Sequence, residues 1–544
     1  MADPRFSVVV PVHDPPLALL RAGLASIVEQ TFTDWELLLV DDGSTSADVR
    51  AELAALAAQD GRVRVIRRDV SGGIVAASND GLAAAQGELI VLVDHDDRIE
   101  RRALAVVDAA VRRQPDIDYL YTDEDKINAD GIAYDAFLKP DWSPERLRSQ
   151  NYCTHLSVLR RSVVEAVGGF REGFDGSQDH DLILRVTEQA RRVHHVPEVL
   201  YHWCVTPGSA AADPHAKPHA REAGRRAVAE HVDRLGIAAQ VEHLATPGHF
   251  RVRRARRPGS VSVIVPTAGV VRPVWGVDRV LVLQAVRSVL EVTARPDVEV
   301  VAVADPATPE AVLGELKALG ARVVRATGSF NFAQRCNEGV TASAGDAVVL
   351  LNDDVLVEQP DWLDVLTGFF AEADVGVVGA RLLYADGTLQ HGGVLLNEDP
   401  LHIFSGFSSN DPGVFGLLEI DREVSAVTGA CLATPRRMWD QLGGLDTEFA
   451  VAFNDVDYCL RARALGRRVV WTPHASMYHF ESQTRRPDAS AQEIDLLHDR
   501  WGPQLHRDPY GNPNFAPHQA MWIPADRTSA WRALRSGLRR VRTR

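Results

Sequence analysis

Short apolar runs alternate along this chain with stretches of helical spacing. Phe6 to Val10 reads as a strand ended by Pro11, and Trp35 to Val40 as another that stops at Asp41-Asp42-Gly43-Ser44. Between them Leu17, Leu20, Leu24 and Ile27 recur with the period of a helix over Leu17 to Glu29. Leu53 to Ala58 reads as helix, Arg62 to Ile66 as strand and Ile74 to Ala85 as helix. Leu89 to Val93 is apolar at every position, as a strand buried on both faces requires. This order predicts an α/β fold with a mostly parallel central sheet covered by helices on both faces. Such sheets bind ligands at the carboxyl ends of their strands, where Asp42, Asp94 and Asp96 fall.

The pattern occurs twice. Gly87-Glu-Leu-Ile-Val-Leu-Val-Asp-His-Asp-Asp97 returns as Gly345-Asp-Ala-Val-Val-Leu-Leu-Asn-Asp-Asp354, with Asn352 in place of Asp94. Ser7-Val-Val-Val-Pro11 returns as Ser262-Val-Ile-Val-Pro266, Asn79 as Asn337, and Val167-Gly-Gly-Phe170 as Leu442-Gly-Gly-Leu445. Gln178-Asp-His-Asp181 is echoed by Asn454-Asp-Val-Asp457, and Tyr201-His-Trp203 by Tyr478-His-Phe480. The period is far too long for a solenoid and predicts two whole domains in tandem, residues 1–250 and 261–485. The basic run from Arg251, closed by Pro258-Gly259, reads as a linker over 251–260.

Residues 486–544 are left as an extension. Its last stretch, Arg527 to Arg544, holds seven arginines and no acid. There Trp531, Leu534, Leu538 and Val541 would give a helix one apolar stripe, as interfacial membrane helices have. A frayed basic tail is the alternative, since Gly537 weakens any helix.

At 544 residues the chain exceeds one core, given ~150 residues per domain, and 45% hydrophobic with 24% charged residues is an ordinary globular composition. No apolar run approaches the ~18 residues of a membrane span, and the opening segment has too short an apolar core for a signal peptide. A cytoplasmic protein is expected, peripheral at the cytoplasmic face of the inner membrane if the basic tail binds there. Five cysteines without Cys-x-x-Cys spacing argue against a zinc site or a disulfide framework. A net charge of -15 argues against nucleic acid as a partner.

Neither Gly-x-Gly-x-x-Gly after the first strand nor Gly-x-x-x-x-Gly-Lys is present, which removes the main support for dinucleotide and P-loop enzymes. Carboxylates crowded at a strand end repel one another unless a cation sits among them. The succession Val8-Val-Val-Pro11, Gln30-Thr-Phe32, Leu38-Leu-Val-Asp-Asp-Gly-Ser44, Asn79, Asp94-His-Asp-Asp97, Gly168-Gly-Phe170 and Gln178-Asp-His-Asp181 resembles the family 2 glycosyltransferases of GT-A fold. The two copies carry that resemblance over nearly the whole chain.

The resemblance implies a nucleotide-sugar donor (UDP-, dTDP- or GDP-linked) held by Pro11, Asp42 and Asp94 in copy one, and by Pro266, Asp305 and Asn352 in copy two. It implies a divalent metal, Mn or Mg, on Asp96 and His202 and on Asp354 and His479. It also implies a catalytic base, Asp179 or Asp455, and inversion at the anomeric carbon. Other readings stay open: Asp42 as turn chemistry, each histidine as a packed structural ring, and Asp179 and Asp455 as helix caps. Since two acids mark the start of each helix, Asp181 and Asp457 are expected to cap while Asp179 and Asp455 work. Further resemblance of copy two to rhamnosyl- and galactofuranosyl-transferases implies a glycan or lipid-linked saccharide acceptor in surface polysaccharide synthesis. The rival readings are one active module beside a relic, and a glycan-binding scaffold without turnover.

Overall fold

The computed structural model of the chain describes residues 3–128, 131–205, 218–480 and 489–516. The basic tail from Arg527 lies outside the described residues.

The first half is built on one sheet of strands β1 (Phe6–Val12), β2 (Trp35–Asp42), β3 (Val63–Arg68), β4 (Leu89–Leu92), β5 (Arg98–Ile99), β6 (Tyr119–Ile127), β7 (Ala133–Phe137), β8 (Ser157–Arg160) and β9 (Val193–Cys204). Their order is β3-β2-β1-β4-β8-β6-β9-β5, with β7 on β6. The pairs β3-β2, β2-β1 and β1-β4 are parallel, joined by the helices Leu17–Val28, Ala47–Gln59 and Gly73–Ala84. Beyond β4 the sheet turns antiparallel through β8. Phe6, Val8 and Val10 of β1 pack on one face with Leu20, Leu24 and Ile27, while Val9 packs on the other with Leu38 and Ile90. Burial on both faces explains why β4 is apolar throughout and why the one polar residue of β1, Ser7, is hydrogen-bonded to Glu36 at 2.6 Å.

The second half repeats this plan. Arg322–Arg325, Val298–Ala304, Val261–Thr267 and Ala347–Leu351 run parallel in that spatial order, followed by Cys431–Pro435, Val375–Leu383, Arg468–His479 and Val355–Val357. The halves therefore form two curled, mostly parallel sheets of α/β type, matching tandem GT-A domains. Among the described residues no helix is long and apolar enough to cross a membrane.

A duplicated polar clamp orients the helix behind each site. Asn79 donates Nδ2–H to the Phe170 carbonyl and accepts Phe170 N–H, both at 2.9 Å; Asn337 does the same to Leu445 at 2.8 and 2.9 Å. The turns they grip need glycine, since Gly169 and Gly444 have φ of +66° and +78° and a Cβ on either would collide with the clamping amide. Asp181 and Asp457, expected as helix caps, instead lie in the first turns of Gln178–Thr187 and Asn454–Ala464. Both are fully buried, and they pair with Arg185 and Arg171 and with Arg461 and Arg500. Arg185 and Arg461 also donate to the Gly169 and Gly444 carbonyls, so these acids lock the same turn.

Arg251 to Arg254, read from sequence as the start of a linker, belong to a strand, Phe250–Arg254, hairpinned to Ala239–His243. Its last residue is 3% exposed and lies between Glu145 of the first half and Glu372 of the second, over the Phe369 ring at 3.9 Å. Arg148, Arg468 and Glu423 complete a buried ionic junction. The stretch after 485 is likewise no separate extension where it is described. Helix Ala491–Leu505 is started by a Ser490–Glu493 capping box and buries Leu497, Trp501 and Leu505 in the second core.

Candidate active sites

In the second half, Pro266, Asn352, Asp354, Asp455 and His479 all line one cleft of about 400 Å³, together with Asp353, Gln390 and His402. His479 Nε2 lies 3.0 Å from Asp354 Oδ1 and 3.1 Å from Asn352 Nδ2. Its Nδ1 meets Gln390 Oε1 at 2.6 Å; an amide oxygen can only accept, so Nδ1 donates to it and the ring is held with Nε2 toward Asp354. That is how proteins orient an imidazole toward a cation, and the donor set fits one. Asp455 accepts Gly429 N–H (2.7 Å) and Val456 N–H (2.8 Å), one on each oxygen, which fixes the carboxylate at the helix start with lone pairs to spare. Burial, then the charge of Asp354, pushes the Asp353 carboxyl up to about 7; Asp353 accepts the Thr267 hydroxyl at 2.6 Å. Asp305 stands apart from the residues lining the cleft. It accepts Ala307 N–H and lies 3.7 Å from Arg335.

In the first half the acid turn gathers at the sheet rim, but with a different acid and a different histidine from those expected. Ligand atoms of Asp94, Asp97 and His155 lie within 4.8 Å of one another, a grouping that fits a divalent cation and that among the described residues includes neither Asp96 nor His202. His202 instead holds Asp125 Oδ1 on Nδ1 (2.6 Å) and Glu100 Oε1 on Nε2 (3.2 Å). The reason is register. Arg98 pairs with His202, whereas Leu356, the matching residue of copy two, pairs with Tyr478. A slip of one residue exchanges the faces of a strand, so Tyr201 turns inward where His479 does in copy two. Tyr201 donates its hydroxyl to Asp97 at 2.6 Å, and His155 stacks on the Tyr201 ring at 4.4 Å. No motif marked His155; it arrives because β8, which follows it, pairs with β4.

Electrostatics ties these groups into one site. Asp94 reaches the surface, yet the protein packed around it raises its carboxyl; His155 opposes this, and the charges of Asp96 and Asp179 add to it. Burial and Asp94 push Asp97 up to about 8. Burial alone would disfavour the His155 cation, but Glu124, Asp97 and Asp94 hold it up at about 9. Crowded acids that stay partly protonated are a site short of positive charge. Asp179 is oriented by Asn151 Nδ2 at 3.1 Å and accepts His180 N–H.

Asp42 sits at the end of β2 as anticipated, with its carboxylate engaged by Ser71 Oγ–H, Gly72 N–H, Gly73 N–H and Arg68. Burial works against its charge, but these donors hold its carboxyl below the usual range. The Pro11 carbonyl accepts His95 Nδ1–H at 3.0 Å, joining β1 to the acid turn.

Each half thus carries acids on the carboxyl-end rim of its sheet and a further carboxylate at a helix start, where open α/β sheets bind ligands. Residues 7–168 match the family described as Glycosyl transferase family 2, and residues 258–502 the Glycosyltransferase like family 2. The chain is 40% identical over 533 residues to the uncharacterized protein y4gI of Sinorhizobium fredii, covering 94% of this chain and 58% of that protein. It is 37% identical over 524 residues to the O-antigen biosynthesis protein RfbC of Myxococcus xanthus, covering 95% and 40%. It is 30% identical over 190 residues to a PGL/p-HBAD biosynthesis glycosyltransferase of Mycobacterium bovis, covering 34% of this chain and 70% of that one. The chain thus spans about half the length of the first two relatives. It belongs to the family 2 glycosyltransferases, with two such domains in tandem.

Proposed function

We propose that the protein is an inverting, divalent-metal-dependent glycosyltransferase with a working site in each half. Its sugars would pass from nucleotide-diphosphate donors to a saccharide or lipid-linked acceptor in surface polysaccharide synthesis. The observation that carries this reading is the second cleft, where Asp455 shares one cavity with Asn352, Asp354 and His479.

In the first site Asp94, Asp97 and His155 would hold the cation, and in the second Asp354 and His479. When bound, it supplies positive charge against the diphosphate that forms as the sugar leaves. Pro11, Asp94 and the Asp42-held turn Ser71 to Gly73 form the donor side of the first site; Pro266 and Asn352 serve in the second. An acceptor alcohol is barely ionised at neutral pH, so a positioned carboxylate must take its proton. Asp179 and Asp455 would take it, a reading supported by side-chain and backbone donors that hold each carboxylate and leave lone pairs available. A second reading, one active half beside a relic, draws on Asn352 and Val355, which stand where copy one has Asp94 and Asp97.

The test is incubation with a panel of UDP-, dTDP- and GDP-sugars, Mn or Mg, and a lipid-linked saccharide, with products weighed. Two linkages are expected, one lost in Asp179→Asn and the other in Asp455→Asn. A double variant that transfers sugar at the parent rate rejects both bases. One linkage only supports the relic reading, and donor binding without nucleotide release makes the chain a glycan-binding protein.

A further inference from the structure

The segment after the C-terminal helix belongs in sequence to the second half but reaches into the first. Asp508 is buried and accepts Leu396 N–H at 2.7 Å, which ties it to the hairpin whose Val394, Pro400 and His402 line the second cleft. The Pro509 carbonyl accepts Asp141 N–H at 2.7 Å. Asn512, also buried, then donates Nδ2–H to Asp123 (2.9 Å to Oδ2, 3.2 Å to Oδ1) and to the Lys139 carbonyl at 2.9 Å.

From there an unbroken set of polar contacts leads to the first acid cluster. Asp123 Oδ1 accepts Lys139 N–H at 2.8 Å. Lys139, wholly enclosed, donates Nζ–H to Glu124 Oε2 at 2.8 Å and to the His155 carbonyl. Glu124 Oε2 meets His155 Nδ1 at 3.1 Å, and His155 lies against Asp94 and Asp97. The links from Asn512 through Lys139 to Glu124 are buried and those to His155 half-buried, so a donor removed at Asn512 leaves Asp123 Oδ2 and the Lys139 carbonyl without that bond where solvent cannot easily replace it, while Asp123 Oδ1 keeps Lys139 N–H and His195. Lys139 is the pivot: its backbone is gripped by Asn512 and Asp123, and its ammonium by the two groups that fix His155.

We infer that Asn512 is a positioning residue of the first site, setting Lys139 and through it His155 against Asp94 and Asp97. Residues 1–250 alone would then carry an incompletely assembled site. The inference rests on the proposed reading of Asp94, Asp97 and His155 as a cation site, so its test separates the two.

Mn²⁺ binding to the full chain in the presence of uridine diphosphate is counted by electron paramagnetic resonance in an Asp354→Ala background, which silences the second site. One ion per chain is expected to remain. Adding Asn512→Ala weakens it about tenfold or more, the usual effect of losing an outer support of a metal ligand. Asn514→Ala, which removes a bond to the Pro197 carbonyl, leaves it unchanged. Asn512→Ser keeps a smaller donor and shifts affinity in the same direction, so the test survives a poorly folded alanine variant. Unchanged affinity in both Asn512 variants overturns the inference. If the background binds no Mn²⁺, the cation reading falls instead, and the strap is judged by carbethoxylation of His155. A tenfold faster reaction in Asn512→Ala supports it, and an unchanged rate overturns it.

Discussion

His202 and His479 occupy matching places in the two copies yet face opposite sides of their sheets, because the strand carrying them pairs one residue out of step. The two rings therefore differ in what they can do. His479→Ala is expected to lower Mn²⁺ affinity and second-linkage formation ~10 to 100-fold. His202→Ala leaves the first linkage at the parent rate, while His155→Ala lowers it. Equal losses from His202→Ala and His479→Ala would contradict the register argument.

Asp455 should behave as a base and not as a donor ligand. Asp455→Asn retains an oxygen for the Gly429 N–H but cannot take a proton, so the rate falls ~100 to 10,000-fold with nucleotide affinity unchanged in titration calorimetry. A parallel loss of nucleotide affinity would assign Asp455 to the donor instead.

Without metal, the acid cluster makes the first half less stable as pH rises. Asp97 keeps a proton in the folded chain up to about 8 that the unfolded chain releases near the ordinary aspartate value. The native state thus binds more protons across that window, and stability declines with increasing pH. His155, held up to about 9, adds a decline in the same direction above the ordinary histidine value. Thermal midpoints of the metal-free protein are expected to fall from about pH 5 to pH 9, and Asp97→Asn to flatten the slope below about pH 8. A parent and variant with parallel profiles would rule this out.

The junction between the halves rests on enclosed charges. Arg254→Ala leaves Glu145 and Glu372 facing each other with less compensation and is expected to cost about 3–5 kcal/mol, read from denaturant midpoints. Arg256→Ala removes an exposed pair with Asp297 and costs under about 1 kcal/mol. Similar costs for the two would show that the junction is not load-sharing.

Much of this was legible in the chain itself. Apolar runs such as Leu89 to Val93 mark strands because burial on both faces leaves a direct imprint on residue type, and the repeat of Asn79 at Asn337 marks the duplication, though the clamp these amides make shows only in the fold. What sequence concealed depends on pairing: whether Tyr201 or His202 turns inward is decided by a single residue of register between short strands. His155 and Asn512 reach the first site only through contacts between segments far apart in the chain, and Arg254 reads as linker because a buried arginine looks like a solvated one until its partners are known.

Replacement of Asp97 by Val355 and of Asp94 by Asn352 leaves the two rims with unequal negative charge. Affinity for a hard cation grows with the number of carboxylates around it. A graded chelator titration should therefore empty the later copy before the earlier one, giving an experimenter a window in which a single module can be watched inside the intact chain.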